Sequence, residues 1–240
     1  MARTKILNVP FDTYTLDEAA KKVVELMDSP RQHMVCTPNP EIVMEAQKNL
    51  VLMNILKSAD IVTPDGIGVV WASKYSETKL KERVSGYDLI LKVFDKIKYT
   101  DHTVYFFGGE PGVAEKAVKN VRKKYQGIKI IGFADGYFDE AKERAIIKEI
   151  NSLKPTLLLV GLGSPKQEQW IYDNLRLTGA KVSIGIGGCF DVMSGKIKRA
   201  PDIFRKLGLE WFYRLITQPT RIKRMLKLPL FVLTVRKKMR

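Results

Sequence analysis

The feature that most constrains this chain is a phrase it repeats: a short apolar run, a glycine turn, then an amphipathic segment. Thr103 to Phe107 runs into Gly108-Gly109, Thr156 to Val160 into Gly161-Leu162-Gly163, and Val182 to Ile186 into Gly187-Gly188. Runs this short and continuously apolar suit strands buried on both faces, and the amphipathic stretches between them supply crossover helices. Ile128 to Phe133 adds a strand and Asp139 to about Asn151 a helix.

The first hundred residues carry the same pattern in looser form. Thr15-Leu16-Asp17-Glu18 is a capping box that opens a helix to about Asp28. Met34 to Thr37 is a strand closed by Pro38-Asn39-Pro40, Glu41 to Ser58 is helical, and Ile61 to Thr63 is a short strand ending at Pro64-Asp65-Gly66. The expectation is an α/β fold, with a mostly parallel Rossmann-like sheet and helices on both faces, over residues 1–195.

After Lys196 the phrase stops. Three short helical pieces, split by Pro201, Gly208, Pro219 and Pro229, carry Trp211, Phe212, Tyr213 and Phe231 among basic residues. Composition matters here, because the net charge of +15 is concentrated in residues 196–240, which hold 14 Lys and Arg against 2 Asp and Glu. The near-neutral body therefore ends in a basic helical appendage, an asymmetry that points to nucleic acid or an anionic membrane surface. Leu228 to Val235, apolar and followed by Arg236-Lys237-Lys238-Met239-Arg240, favours shallow insertion among acidic headgroups and argues against a nucleic-acid partner.

No stretch approaches the roughly 20 apolar residues of a spanning helix, and Met1 to Asp17 has no apolar signal core. Cys36 and Cys189 are too few and too far apart for a disulfide framework. These readings lead to a cytoplasmic protein, peripheral on the inner face of the membrane.

In an open parallel sheet ligands bind beyond the carboxyl ends of the strands, and five turns land on that edge. Thr37 and Asn39 offer uncharged hydrogen-bonding groups suited to sugar hydroxyls, or they cap the strand end. Asp65 can face a cleft as a general base, or cap the next helix. Arg83 suits a phosphate or a solvated surface. Gly108 and Gly109 allow backbone N–H groups near a diphosphate, but they form neither a G-x-G-x-x-G nor a Walker loop, and Asp135 follows Gly108 by 27 residues. The dinucleotide pattern wants its acid about 20 residues on, so NAD ranks last. In Gly161-Leu162-Gly163-Ser164-Pro165-Lys166-Gln167-Glu168, Ser164 is placed to cap, Pro165 suits the first helical position, and the glycines leave room for a ligand. Lys166 and Gln167 follow in the first turn. Gly187 and Asp191 repeat the arrangement, with Asp191 facing a base or ribose, or capping.

There is no D-x-D carboxylate pair, and His33 and His102 stand alone, so neither a metal nor a cofactor is expected. A departing diphosphate would then need cationic side chains. Arg214, Arg221 and Arg224 would share a helical face if the helix continued past Pro219, and the alternative is a solvated basic face.

Taken together, Thr37-Pro38-Asn39, Pro64-Asp65-Gly66, Gly161-x-Gly163-x-Pro165-Lys166-Gln167-Glu168, Gly185-x-Gly187, Arg199-Ala200-Pro201 and Gly208-Leu209-Glu210-Trp211-x-x-Arg214 resemble the bacterial WecG/TagA/CpsF glycosyltransferase family over nearly the whole chain. The resemblance, best for the TagA branch, implies inverting transfer of N-acetylmannosamine from a UDP-sugar donor to undecaprenyl-diphosphate-linked N-acetylglucosamine at the membrane. It implies a β-1,4 linkage in the wall teichoic acid linkage unit, with Asp65 as base. Thr37, Asn39 and Gln167 would orient sugar, and Gly108, Gly109, Gly163 and Asp191 would lie near UDP with Gly161, Lys166 and Gly187. Arg83, Arg214, Arg221 and Arg224 are assigned to substrate, the last three to diphosphate when the appendage folds over the site. A related donor such as the uronic acid, or a non-enzymatic nucleotide- or nucleic-acid-binding module, is the alternative. Self-association into a homo-oligomer is a further expectation.

Overall fold

The structure is a computed structural model that describes residues 3–217, 222 and 226–239. Its strands are β1 (Arg3–Ile6), β2 (Val9–Asp12), β3 (His33–Cys36), β4 (Ile61–Val62), β5 (Thr103–Gly108), β6 (Lys129–Ala134), β7 (Leu157–Gly161) and β8 (Val182–Gly185). Six of them form one sheet in the order β4-β3-β8-β7-β5-β6, and every pairing within it is parallel. The α/β expectation holds.

The helices are α1 (Leu16–Met27), α2 (Pro40–Ala46), α3 (Leu50–Ser58), α4 (Ile67–Ala72), α5 (Gly86–Ile97), α6 (Val113–Lys124), α7 (Glu140–Leu153), α8 (Lys166–Thr178), α9 (Cys189–Met193), α10 (Asp202–Lys206), α11 (Glu210–Thr217) and, last, α12 (Lys227–Lys238). They cover both faces of the sheet. Tyr105, Phe107, Leu158 and Val160 point into a layer built by α2, α3, α4, α7, α8 and the β1–β2 hairpin. Val104, Phe106, Leu157 and Leu159 point the other way, into α1, α5, α6 and α9. Alternate residues of each strand thus feed two cores, which is why the runs read as continuously apolar.

Local signals account for several boundaries. The capping box forms with both bonds, Glu18 N–H to Thr15 Oγ1 at 3.3 Å and Thr15 N–H to Glu18 Oε2 at 2.7 Å. Residues 41–58, expected as one helix, are two, because Asn49 leaves helical geometry and caps α3 by accepting from Leu52 N–H at 3.0 Å. Pro229 does not split the final piece. It sits in the first turn of α12, where its missing N–H has no helical partner to lose. Pro165 is the N-cap of α8 rather than its first residue, and no side chain caps that end, so the expected Ser164 cap does not form.

The β1–β2 hairpin was not anticipated. It guards the edge of the sheet at β4: Asp12 accepts from Val62 N–H at 2.7 Å while Arg3 donates to the carbonyls of Ala59 and Asp60 at 2.9 and 2.7 Å. These side chains satisfy groups that would otherwise template another strand. The apolar run ascribed to lipid packs one stripe inward, with Phe231 and Val235 joining the core beneath α2 and α4. Leu230 and Leu233 of the same helix stay exposed.

Candidate active site

In a doubly wound sheet a crevice opens where neighbouring strands send their next helices to opposite faces. That happens at four of the five neighbouring pairs, β3–β8 and β5–β7 among them. β3 leads to α2 on one face and its neighbour β8 to α9 on the other; β5 leads to α6 and its neighbour β7 to α8.

The second crevice is closed by backbone. Gly109 N–H donates to Gly161 O at 3.0 Å and Gly136 N–H to Gly109 O at 2.8 Å. A Cβ on Gly108 would stand 2.4 Å from Gly161 O, one on Gly161 would meet the Phe190 ring at 2.8 Å, and one on Gly109 would meet Val113 at 3.1 Å. These three glycines serve close packing. Gly163 and Gly187, in contrast, have positive φ and nothing within 4 Å of the missing Cβ, so their turns face open space.

The turns at the first crevice touch one another. Thr37 Oγ1 donates to Gly185 O at 3.3 Å, joining the ends of β3 and β8. Asp65 N–H donates to Pro38 O at 3.2 Å, and a Cβ on Gly66 would lie 3.3 Å from Pro40. The Asp65 turn therefore rests on the Thr37–Pro40 turn. Asn39 spends Oδ1 on capping α2, accepting from Ile42 N–H at 3.1 Å. Val84 N–H donates to Pro64 O at 2.9 Å, which brings Arg83 to the same corner.

Arg83 donates to Asp88 at 3.0 Å and to Glu210, the first residue of α11, at 2.9 Å. Burial opposes its charge, but Asp65, Glu210 and Asp88 more than offset it and hold its pKa above the ordinary arginine value. Burial also works against the Asp88 carboxylate, yet the Ser85 hydroxyl and the Arg199 and Arg83 guanidinium groups keep it below the ordinary carboxylate range. Arg199 pairs with Asp88 and lies 4.5 Å from the centre of the Tyr87 ring. Neither Asp88, Arg199 nor Glu210 was singled out as a site residue from sequence. Their only signal was a place within charged or motif stretches, which says nothing of mutual distance.

Gln167 is buried, with Oε1 accepting from Gly187 N–H at 2.8 Å and Nε2 donating to Glu168 at 2.8 Å. Its amide thus ties α8 to the end of β8. Lys166 Nζ lies 4.4 Å from the centre of the Phe138 ring. Asp191 lies 4.0 Å from Lys196, which also bridges to Glu110 at 2.7 Å, so a cation stands between the turns after β5 and β8. Asp135 is paired to Lys142 at 2.9 Å. Arg214 lies in α11 by its backbone, but its side chain, like the whole of Arg221 and Arg224, falls outside the described residues. A cavity of about 470 Å³ lies at the carboxyl end of β6 between the start of α6 and α7, lined by Gly112, Ala114, Glu115, Phe133, Asp135, Lys142 and Glu149, and shares no residue with this corner. Among the described residues no three His, Cys, Asp or Glu side chains converge as a metal site requires.

The corner thus combines the Asp65, Asp88 and Glu210 carboxylates with the Arg83 and Arg199 guanidinium groups, uncharged polar groups, and open glycine turns at strand ends. Comparison with known proteins gives the same direction. The chain is 39% identical over 211 residues to the N-acetylglucosaminyldiphosphoundecaprenol N-acetyl-beta-D-mannosaminyltransferase of Bacillus spizizenii, covering 88% of this chain and 81% of that one. It is 33% identical over 239 residues to the Staphylococcus aureus (strain MRSA252) protein of the same name, covering 98% and 93%. The sequence pattern of the glycosyl transferase WecG/TagA/CpsF family matches residues 4–240. With that span and those identities, the chain belongs to the WecG/TagA/CpsF family of glycosyltransferases.

Proposed function

We propose that this enzyme transfers N-acetylmannosamine from a UDP donor to N-acetylglucosamine on undecaprenyl diphosphate, forming a β-1,4 bond with inversion in the wall teichoic acid linkage unit. The observation that carries the reading is the convergence of Asp65, Thr37 and Arg83 on one corner of the carboxyl edge, joined to the open Gly187 turn through Thr37, Gly185 and Gln167. Relatives bearing the transferase name along nearly the whole chain support the substrate pair.

Inversion requires attack on the anomeric carbon from the face opposite the departing UDP. Asp65 takes the proton of the acceptor hydroxyl as the new C–O bond forms. The bond from the anomeric carbon to the diphosphate breaks, and its electrons leave with UDP. The negative charge gathering on the diphosphate is met by guanidinium groups, of which Arg83 is already anchored and Arg214, Arg221 and Arg224 come from the appendage. Donor nucleotide lies along the Gly163 and Gly187 turns, with Asp191 near its ribose or base.

The lipid-linked acceptor places the reaction at a membrane. No helix among the described residues is long and apolar enough to cross one. Leu226, Leu230 and Leu233 are exposed along one side of the C-terminal segment, ahead of exposed Arg236, Lys237 and Lys238, which supports peripheral contact on the cytoplasmic face with acidic headgroups. UDP release with UDP-N-acetylmannosamine and a soluble diphospho-N-acetylglucosamine lipid tests the whole scheme. Asp65→Asn, which keeps the shape and removes the base, is expected to lower kcat by about 10²- to 10⁴-fold; turnover near that of the parent enzyme removes Asp65 from the role.

A further inference from the structure

Glu168 is an acid whose burial the transfer scheme leaves unexplained. It stands in the first turn of α8, 3% exposed, where the Gln167 amide and the Ser164 hydroxyl favour its carboxylate against the cost of burial. A carboxyl group at that depth is costly to keep unless it does something an apolar residue cannot. Its Oε1 accepts from Gln167 Nε2 at 2.8 Å.

The next contact shows what that bond accomplishes. A glutamine amide has two unlike ends, and Gly187 N–H donates to the oxygen end at 2.8 Å. The nitrogen end must then find an acceptor, and Gln167 is itself only 3% exposed. It is also pressed against β8, since a Cβ on Gly185 would come within 2.8 Å of Nε2. Glu168 Oε1 is the acceptor present. Replaced by an apolar side chain, it would leave the amide either with a buried unsatisfied N–H or flipped, with a donor facing the Gly187 donor. Gly187 holds φ +53 with open space on its outer side, so the bond from Gln167 fixes a turn whose free face borders the crevice.

We infer that Glu168 is a positioning residue for the nucleotide donor: it orients the Gln167 amide, and through it the Gly187 turn against which the donor lies. The inference rests on the transfer reading above. Glu168 touches no substrate in this arrangement and acts only through Gln167.

The test is steady-state kinetics with UDP-N-acetylmannosamine and the soluble lipid acceptor. Glu168→Leu is expected to raise the donor KM about tenfold, the equivalent of one hydrogen bond, with kcat and acceptor KM changed less than about twofold. Glu168→Gln, whose side-chain oxygen still accepts, restores the donor KM to within about threefold of the parent. The double variant Gln167→Leu/Glu168→Leu has the donor KM of Gln167→Leu alone, because the two act in series. Donor KM unchanged in Glu168→Leu, with only a lower thermal midpoint, overturns the inference, as does additivity in the double variant. Should Glu168→Leu not fold, Gln167→Glu puts the question from the other end: it keeps the oxygen toward Gly187 and removes the donor toward Glu168. A parent-like donor KM there also overturns the inference. Failure of the parent enzyme to release UDP overturns the transfer reading instead, so the two failures are distinct.

Discussion

The glycines at the strand ends look alike in sequence and differ in what stands where a side chain would be. Gly108 has φ +129 and the Gly161 backbone 2.4 Å from its absent Cβ. Backbone inside a parallel ladder cannot give way, so Gly108→Ala is expected to cost about 3 kcal/mol or more. Gly163→Ala meets no atom and carries only the positive-φ penalty of about 1–2 kcal/mol. Thermal melts of the two variants check the difference, and equal losses contradict it. Glu168 gives a second expectation at this scale. Burial pushes its carboxyl above the ordinary range, so its contribution to stability is full below the unfolded pKa and fades as pH rises through the folded one. Glu168→Gln removes that dependence, and urea midpoints measured from pH 4 to 8 (about, spanning the carboxylate range) should fall less steeply in the variant. The sequence named Gln167 as a site residue but not how its amide is spent. Both ends of that amide are engaged by groups brought in by folding.

Elements were legible where their signals are local. The capping box at Thr15 forms as the residues suggest, because cap and partner lie within one turn, and the helix expected from Asp139 is α7, which that aspartate caps. The hairpin of β1 and β2 was not legible, since its turn uses Leu7 and Asn8 at φ 47 and 66. An Asn-Gly pair would have announced such a turn; a leucine there does not. The C-terminal helix was legible as an apolar segment but not in its partner. Phe231 is 1% exposed, seated 3.8 Å from the Cβ position of Gly68 in α4. Phe231→Ala is expected to cost up to about 3–5 kcal/mol if α12 unfolds with the body. It costs less if the helix detaches alone, in which case hydrogen exchange rises across 226–239 while β5 and β7 stay protected. No change in exchange across that segment contradicts the docking of α12.

For the whole molecule, the decisive arrangement is the ion-pair cluster of Arg83, Asp88, Arg199 and Glu210. It joins the turn before α5 to the segments that lead into α10 and α11. The basic end is thereby anchored at the same corner as Asp65. Association with vesicles rich in acidic lipid is expected to weaken as salt rises. Replacing Arg236, Lys237 and Lys238 by Gln should weaken it further, by about 1 kcal/mol per charge. Cosedimentation across a salt series reads both effects, and binding indifferent to salt and to these charges contradicts the membrane assignment.

The sequence by itself determined the layer architecture, the carboxyl edge on which the turns fall and the uneven placement of charge. Those follow from periodicity, turn chemistry and composition, all of which act over a few residues. Only the tertiary structure decided which crevice is open, which glycines are filled by neighbouring backbone, and that Arg83 faces Glu210 across 127 positions of chain. Such contacts depend on strand order and on which face each helix takes, and neither is written in any local stretch of residues.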